Sequence, residues 1–184
     1  SGTTTSGYTN NTVNASIPDV VMPTNALTPI NASSSYTWSG SIASGYYSTT
    51  TIGGTIQVTN GAQVTLYISS NVRLTGQEGI YISTNSKLTI YMAGSDMNLG
   101  GNGVMNSGNA TNFLVQGLNT MTSLTVAGNG YTVGTFYCPY ADLTLNGSGT
   151  GGALVGAAVV NSANFNGNHA QLHYDENLGR QNNG

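Results

Sequence analysis

The fold is decided by residues 136–178, FYCPYADLTLNGSGTGGALVGAAVVNSANFNGNHAQLHYDENL. Two short apolar strands in this stretch, 143–145 and 164–165, are each followed by an Asn-Gly pair. The pairs Asn146-Gly147 and Asn166-Gly167 lie twenty residues apart. Asn and Gly adopt the left-handed backbone conformation most readily, which suits a corner between strands. The spacing therefore predicts two successive coils of a parallel β-solenoid, with these four residues at the corners.

A second repeat lies upstream and has an offset of 24 residues. Residues 58–69 (VTNGAQVTLYIS) align with residues 82–93 (ISTNSKLTIYMA). In both copies apolar residues alternate with Thr and Tyr, a period of two that turns one side of the strand inward. Similar strands recur at about twenty residues, around Leu124, Leu143 and Ala163. Residues 105–120 break this rhythm, and we expect a loop or an irregular coil there.

These repeats predict an all-β protein with the fold of a single-stranded parallel β-helix. Coils of about 20–24 residues would occupy residues 36–184, which end in a C-terminal cap. An antiparallel sandwich is the alternative, but it would show longer strands, hairpin turns and no such repeat.

Residues 1–35 differ from the rest, because they are rich in Ser, Thr and Asn with prolines in between. We interpret them as an extended N-terminal arm. The apolar residues of the arm cluster in one short run, at Ile17, Val20, Val21 and Met22. Such a run can dock by strand addition, either on its own solenoid or on a neighbouring chain.

The composition excludes several classes of partner. The chain has 3 Lys+Arg against 6 Asp+Glu, too few cations to neutralise nucleic-acid phosphates or to bind an anionic membrane. No apolar run is long enough for membrane insertion. The Asn- and Thr-rich, Lys-poor composition predicts an extracellular or cell-surface location, and the start at Ser1 suggests a processed or excised form. The five Asn-x-Ser/Thr sequons are weak indications of glycosylation, namely Asn10, Asn14, Asn31, Asn109 and Asn146.

The C-terminal part resembles a bacterial surface domain of unassigned function. The resemblance rests on residues 128–149 (GNGYTVGTFYCPYADLTLNGSG), residues 151–155 (GGALV) and residues 165–178 (FNGNHAQLHYDENL), which close with an H-Y-D-E-x-L signature. Domains of this kind lie at the C-terminal end of pilin-like and other exported proteins. The resemblance covers about residues 36–178, with Cys138 in place of the usual small residue. It implies a right-handed β-helix, more distantly related to bactofilin-like polymer-forming solenoids, and no catalytic residue.

The most site-like cluster lies at the C-terminus and contains His169, His173, Tyr174, Asp175 and Glu176. Two histidines and two carboxylates could ligate a metal or perform acid–base chemistry. The alternative is a cap, whose polar groups satisfy the open backbone of the last coil and block edge pairing. We favour the cap, and we predict no metal, cofactor or catalytic residue. Cys138 lies in an apolar stretch and fits a buried core residue better than a nucleophile.

Three functions from different classes remain open. We favour a non-enzymatic structural protein, the self-assembling protomer of a surface filament or pilus-like appendage, joined by the arm or by end-on solenoid contacts. The second is an adhesin or carbohydrate-binding module, which would display Tyr67 and Tyr91 in line with Tyr46 and Tyr47. A polysaccharide-active enzyme is the least favoured, because the carboxylates are scattered along the chain. The expected partners are therefore copies of the chain, or glycans.

Overall fold

The computed structural model describes residues 17–30, 44–129, 131–147, 153–176 and 178. These ranges contain a short 3-10 helix, Ala110–Asn112. No helix among them is long and apolar enough to cross a membrane. The strands are β1 Thr28–Pro29, β2 Gly45–Thr49, β3 Thr55–Val58, β4 Gln63–Ile68, β5 Val72–Leu74, β6 Gly79–Ile82, β7 Lys87–Met92, β8 Asp96–Leu99, β9 Gly103–Asn106, β10 Phe113–Gly117, β11 Ser123–Val126, β12 Thr132–Asn146, β13 Ala153–Asn166 and β14 Gln171–Tyr174.

Every pairing between these strands is parallel, and the strands stack on three faces of a solenoid. The first face carries β2, β4, β7, β10 and the middle parts of β12 and β13. The second face carries β5, β8, β11 and the last parts of β12 and β13. The third face carries β3, β6, β9, the beginnings of β12 and β13, and finally β14. The all-β parallel solenoid that the repeats predict is confirmed.

The register of the strands follows the two sequence repeats. Val64 pairs with Leu88 and Ile80 pairs with Val104, which is the predicted offset of 24 residues. Leu124 pairs with Leu143, and Leu143 pairs with Ala163. The inward positions of successive coils therefore form continuous apolar columns along the solenoid axis.

The prediction of a loop or an irregular coil at residues 105–120 is confirmed for residues 107–112 and wrong for Phe113–Gly117. Phe113–Gly117 is a regular strand of the first face, paired with β7 on one side and β12 on the other. Only the segment after β9 departs from the coil, and it contains the 3-10 helix. The repeat was missed because Leu88 pairs with Phe113, so that this coil is one residue longer than the 24-residue period.

The core fills the inside of the coils. A representative column of the first face contains Leu66, Ile90, Val115 and Phe136, each at most 2 % exposed. Phe113 and Phe136 meet edge to face with ring centroids 5.8 Å apart. Cys138 is buried beside them on β12, and burial raises the pKa of its thiol to about 12. A thiol with that pKa is neutral at physiological pH, which fits the predicted core residue.

Candidate interaction surfaces

The last coil of the solenoid is incompletely covered. β14 pairs only with Ala153–Gly156, the third-face part of β13. Residues 157–166 of β13 pair with β12 on one side, and the described residues place no strand on the other side. Within the described residues, the first and second faces therefore end in a β-edge that no further strand covers, which is a template for another strand.

The inward side chains of this coil continue the core columns but remain in contact with solvent. Leu145 is fully buried, whereas Phe165, its partner in the next coil, is 48 % exposed. Leu154 is likewise fully buried, and its partner Leu172 is 43 % exposed. We call the inward residues of this coil the C-terminal coil surface; they are Ala158, Val160, Ala163, Phe165 and Leu172.

The residues predicted to form a C-terminal cap lie on and beside β14, at the third face. The Asp175 backbone N–H donates to the Gly156 carbonyl oxygen at 3.3 Å, and the Asp175 carboxylate accepts from the Ala110 backbone N–H at 3.4 Å. Asp175 thus ties the last coil to the 3-10 helix. The side chains of His173 and Gln171 bond to each other at 2.8 Å on the outer surface.

The predicted cap residues therefore cover one face of three and leave the C-terminal coil surface open. His169 lies in the turn before β14, while Tyr174 and Glu176 are exposed. In the described part of the chain, no three His, Cys, Asp or Glu side chains converge to hold a metal ion. The metal alternative gains no support from this arrangement.

Residues 17–30 of the arm lie on their own solenoid. At one end β1 pairs with β2, since Thr28 faces Tyr47 and Pro29 faces Ser48. At the other end the Tyr137 hydroxyl donates to the Pro18 carbonyl oxygen, and the Tyr140 hydroxyl donates to the Asp19 carboxylate. The arm therefore runs along the first face from β12 to β2, and its other predicted residues, 1–16 and 31–35, lie outside the described ones.

Only part of the apolar run of the arm is covered. Val20 and Met22 are half-buried, whereas Ile17 is 53 % exposed and Val21 is 80 % exposed. The bond to Asp19 is the main cause of the raised pKa of the Tyr140 hydroxyl. The arm is thus held by polar contacts at β12 and by backbone pairing at β2, while two apolar side chains face solvent.

Nearly the whole chain matches one protein-family model. A family model described as "Domain of unknown function (DUF7305)" matches residues 2–181. The chain belongs to the DUF7305 family. No curated protein and no solved structure matches the chain. The match confirms a domain of unassigned function, and its description assigns no activity.

The tyrosines predicted to form a row are distributed differently in this DUF7305 chain. Tyr67 and Tyr91 are in register on the first face, and the same column continues through Gln116 to Tyr137. Tyr46 lies one column away, opposite Thr65. Tyr47 faces Leu66 and packs against the core. The four tyrosines therefore do not form one line, and both Tyr67 and Tyr91 are half-buried.

The four predicted corner residues of the DUF7305 chain lie at the ends of β12 and β13. Asn146 and Asn166 are in register, and the Asn166 Nδ2 donates to the Asn146 Oδ1 at 3.3 Å. The Gly147 backbone N–H donates to the Asn166 carbonyl oxygen at 2.8 Å. Gly167 has φ 86°, the left-handed conformation that glycine adopts without strain. The two asparagines thus form one step of a side-chain ladder along the axis.

Sequence reasoning missed two features of these surfaces. Tyr137 and Tyr140 hold the arm, but they lie 119 and 121 residues from their partners, and no local pattern links them. The second feature is the extent of the cap: end-on contacts and a cap were both expected, but the alternation of Ala163, Asn164 and Phe165 is the same as in a covered coil, so the sequence does not tell that β14 pairs with the third face alone.

Proposed function

We propose that this DUF7305 chain is a non-enzymatic structural protein of the bacterial cell surface, the self-assembling protomer of a filament or pilus-like appendage. The observation that carries the proposal is the C-terminal coil surface. Phe165 and Leu172 are 48 % and 43 % exposed at positions whose partners in the preceding coil are fully buried. A second copy that covers this surface would remove apolar area from water, which is the main favourable term in association.

The chemistry of the last coil favours a copy of the same chain as the covering partner. Residues 157–166 contain no charged side chain, so that two such edges can approach without like-charge repulsion. Small residues at Ala158 and Ala163 alternate with the larger Val160 and Phe165. The surface that these side chains form is shallow, and another apolar coil would fit against it better than a globular domain.

A filament requires a second contact, and we propose the arm for it. The inward residues at the N-terminal end are already buried, because Ile52, Ile56 and Val58 are at most 2 % exposed. That end therefore offers little apolar surface to a neighbour. The exposed side chains of Ile17 and Val21 on the arm do offer one. Contacts through both the arm and the C-terminal coil surface would link copies into a filament, whereas the C-terminal coil surface alone would give closed pairs.

The remaining parts of the proposal rest on sequence. The resemblance to exported pilin-like domains supports an extracellular location, as does a composition in which only 5 % of residues are charged. The relation to polymer-forming bactofilin-like solenoids belongs to the same proposal. We propose no enzymatic activity, because carboxylates at Glu78, Asp142 and Asp19 accept hydrogen bonds that fasten coils and the arm.

Sedimentation velocity and negative-stain electron microscopy test the proposal on four samples of the full chain. The unmodified chain and a control, Tyr131→Ser, should form filaments, since Tyr131 is 58 % exposed but lies outside both contacts. The pair Phe165→Ser with Leu172→Ser should abolish filaments. The pair Ile17→Ser with Val21→Ser should leave only closed pairs.

Two results would contradict the proposal. Monomers of the unmodified chain at millimolar concentration would remove self-assembly altogether. Filaments that persist in the Phe165→Ser, Leu172→Ser variant would show that the open coil is not the contact. Circular dichroism of every sample is the control that shows whether the β-solenoid is still folded.

A further inference from the structure

A notch on the first face, near the N-terminal end, combines residues that suit a sugar. It has a volume of about 330 Å³ and lies across β2, β4 and β7. Its lining includes one aromatic ring, one ammonium group, one amide and three aliphatic hydroxyl groups, which belong to Tyr46, Lys87, Gln63, Ser44, Thr65 and Thr89. No acidic side chain is among its described lining residues.

The coil register explains why the notch exists at this place. Tyr46, Thr65 and Thr89 occupy the same outward column on three successive strands, so that a large ring is followed by two small side chains. Gln63 and Lys87 are paired in the adjacent position of β4 and β7. The small threonines leave the space, and the tyrosine and lysine form its walls.

The polar groups of the notch are positioned for hydroxyl groups of a ligand. Gln63 Nε2 donates to the carbonyl oxygens of Gly61 and Asn85, both at 3.3 Å, and these bonds orient its Oε1 as an acceptor. The hydroxyls of Thr65 and Thr89 are half-buried and one coil apart, about 4.8 Å. Successive hydroxyls along the axis thus present a periodic row of donors and acceptors.

The charge of Lys87 and the ring of Tyr46 restrict the class of ligand that the notch can bind. Tyr46 is 38 % exposed, and a partly exposed aromatic ring offers an apolar face with a polar tip. Lys87 is exposed and is one of only 3 Lys+Arg residues in the whole chain. An ammonium group beside an aromatic platform, without a carboxylate in the same notch, selects an anionic ligand.

We infer that this notch binds an acidic sugar unit of a polysaccharide. In this arrangement Lys87 binds the sugar carboxylate, the ring of Tyr46 stacks on the sugar, and Thr65, Thr89 and Gln63 bind its hydroxyls. The inference does not rest on the proposed self-assembly, because the described lining of the notch contains no residue of the C-terminal coil surface and none of residues 17–30 of the arm. A surface protein with such a notch would hold an acidic glycan beside the first face.

Titration by NMR tests the inference with two probes, tetragalacturonate and its fully methyl-esterified form. The full chain with Phe165→Ser and Leu172→Ser serves as background, alongside the unmodified chain at low concentration, so that failure of self-assembly does not affect the result. We expect the acid to shift the backbone amides of Tyr46, Thr65 and Thr89. The neutral ester should bind about tenfold more weakly or not at all.

Three variants measure how much individual side chains contribute to binding of the two probes. Lys87→Gln should weaken binding of the acid about tenfold and remove the preference over the ester. Tyr46→Ala should abolish binding of both probes. Arg73→Gln, which removes a cation from the second face, should bind like the parent. Equal binding of acid and ester, equal effects of Lys87→Gln and Arg73→Gln, or no shift at millimolar acid would each overturn the inference.

Discussion

The two ends of the solenoid have the same alternating sequence pattern but differ in how far their inward side chains are covered. At the N-terminal end Ile52, Ile56 and Val58 are at most 2 % exposed. At the C-terminal end Phe165 is 48 % exposed and Leu172 is 43 % exposed. Alternation determines which residues point inward, whereas burial depends on whether another layer of chain lies above them.

The ends also differ in how they are fastened. Near the N-terminal end β1 adds a strand to the first face, and Glu78 binds the backbone N–H groups of Gly54 and Thr75. At the C-terminal end Asp175 connects the last coil to the 3-10 helix, but only on the third face. This difference is the reason why we propose the C-terminal end as the contact between copies.

The sharpest test of this comparison truncates the same side chain in two adjacent coils of one column. Leu154→Ala removes a fully buried side chain and should lower the free energy of unfolding by about 3 kcal/mol. Leu172→Ala removes a side chain that is 43 % exposed, and should cost at most about 1 kcal/mol in dilute, monomeric protein. Urea denaturation measures both. Equal losses would mean that the last coil is as well covered as the others.

Two glycines with positive φ extend the test to the backbone. A Cβ on Gly156 would lie 1.9 Å from the Gly134 carbonyl oxygen, and its φ of 143° is itself unfavourable for other residues. Gly156→Ala should therefore cost at least about 2 kcal/mol, because neighbouring coils must separate. Gly61 has φ 76° and open space around it, so Gly61→Ala should cost only about 1 kcal/mol. Thermal unfolding of both variants should show this order; the reverse order would contradict the close packing of the last coils.

Most of the fold could be predicted because each coil repeats the residue types of the coil before it at a fixed offset in the sequence. The offset between Val64 and Leu88, and the Asn-Gly pairs, carry the register in the sequence itself. The position of the arm could not be predicted, since the bonds from Tyr137 and Tyr140 join segments that share no period. The residues predicted to form a cap are adjacent in sequence, but the number of faces that β14 covers depends on how the last coil closes in three dimensions. The notch at Tyr46 and Lys87 likewise arises only when three strands are aligned.

Low pH should destabilise the N-terminal end of the solenoid, because it protonates the Glu78 carboxylate. Hydrogen bonds from Gly54 and then Thr75 lower the pKa of its carboxyl below the usual value. A lowered folded-state pKa contributes stability above the unfolded-state pKa, and that stability is lost as pH falls through the folded-state value. Between pH 6 and pH 3 the unmodified chain should therefore lose more stability than Glu78→Gln, and solvent screening should keep the difference below about 1 kcal/mol. Urea denaturation across this range measures the difference, and parallel curves would contradict it.

The corresponding carboxylate of the last coils is Asp142. Hydrogen bonds from Ser162 and then Asn161 lower its pKa, so its contribution has the same sign and the same direction with pH. Asp142 is exposed, and solvent screening should make the pH dependence removed by Asp142→Asn smaller than that removed by Glu78→Gln. An equal or larger effect for Asp142→Asn would mean that the C-terminal coils are more shielded than the exposure of Phe165 indicates.

The smallest expected effect concerns the asparagine ladder at the open end. The bond between Asn166 and Asn146 is 3.3 Å long and exposed, so a double-mutant cycle with Asn→Ala at both positions should give a coupling of about 0.5 kcal/mol or less. A partner that covers the last coil would exclude water from this bond, and a drier hydrogen bond is stronger. The coupling should therefore increase with protein concentration in the unmodified background, and stay constant when Phe165→Ser and Leu172→Ser are present. A coupling that is independent of concentration in both backgrounds would place the partner elsewhere than on the C-terminal coil surface.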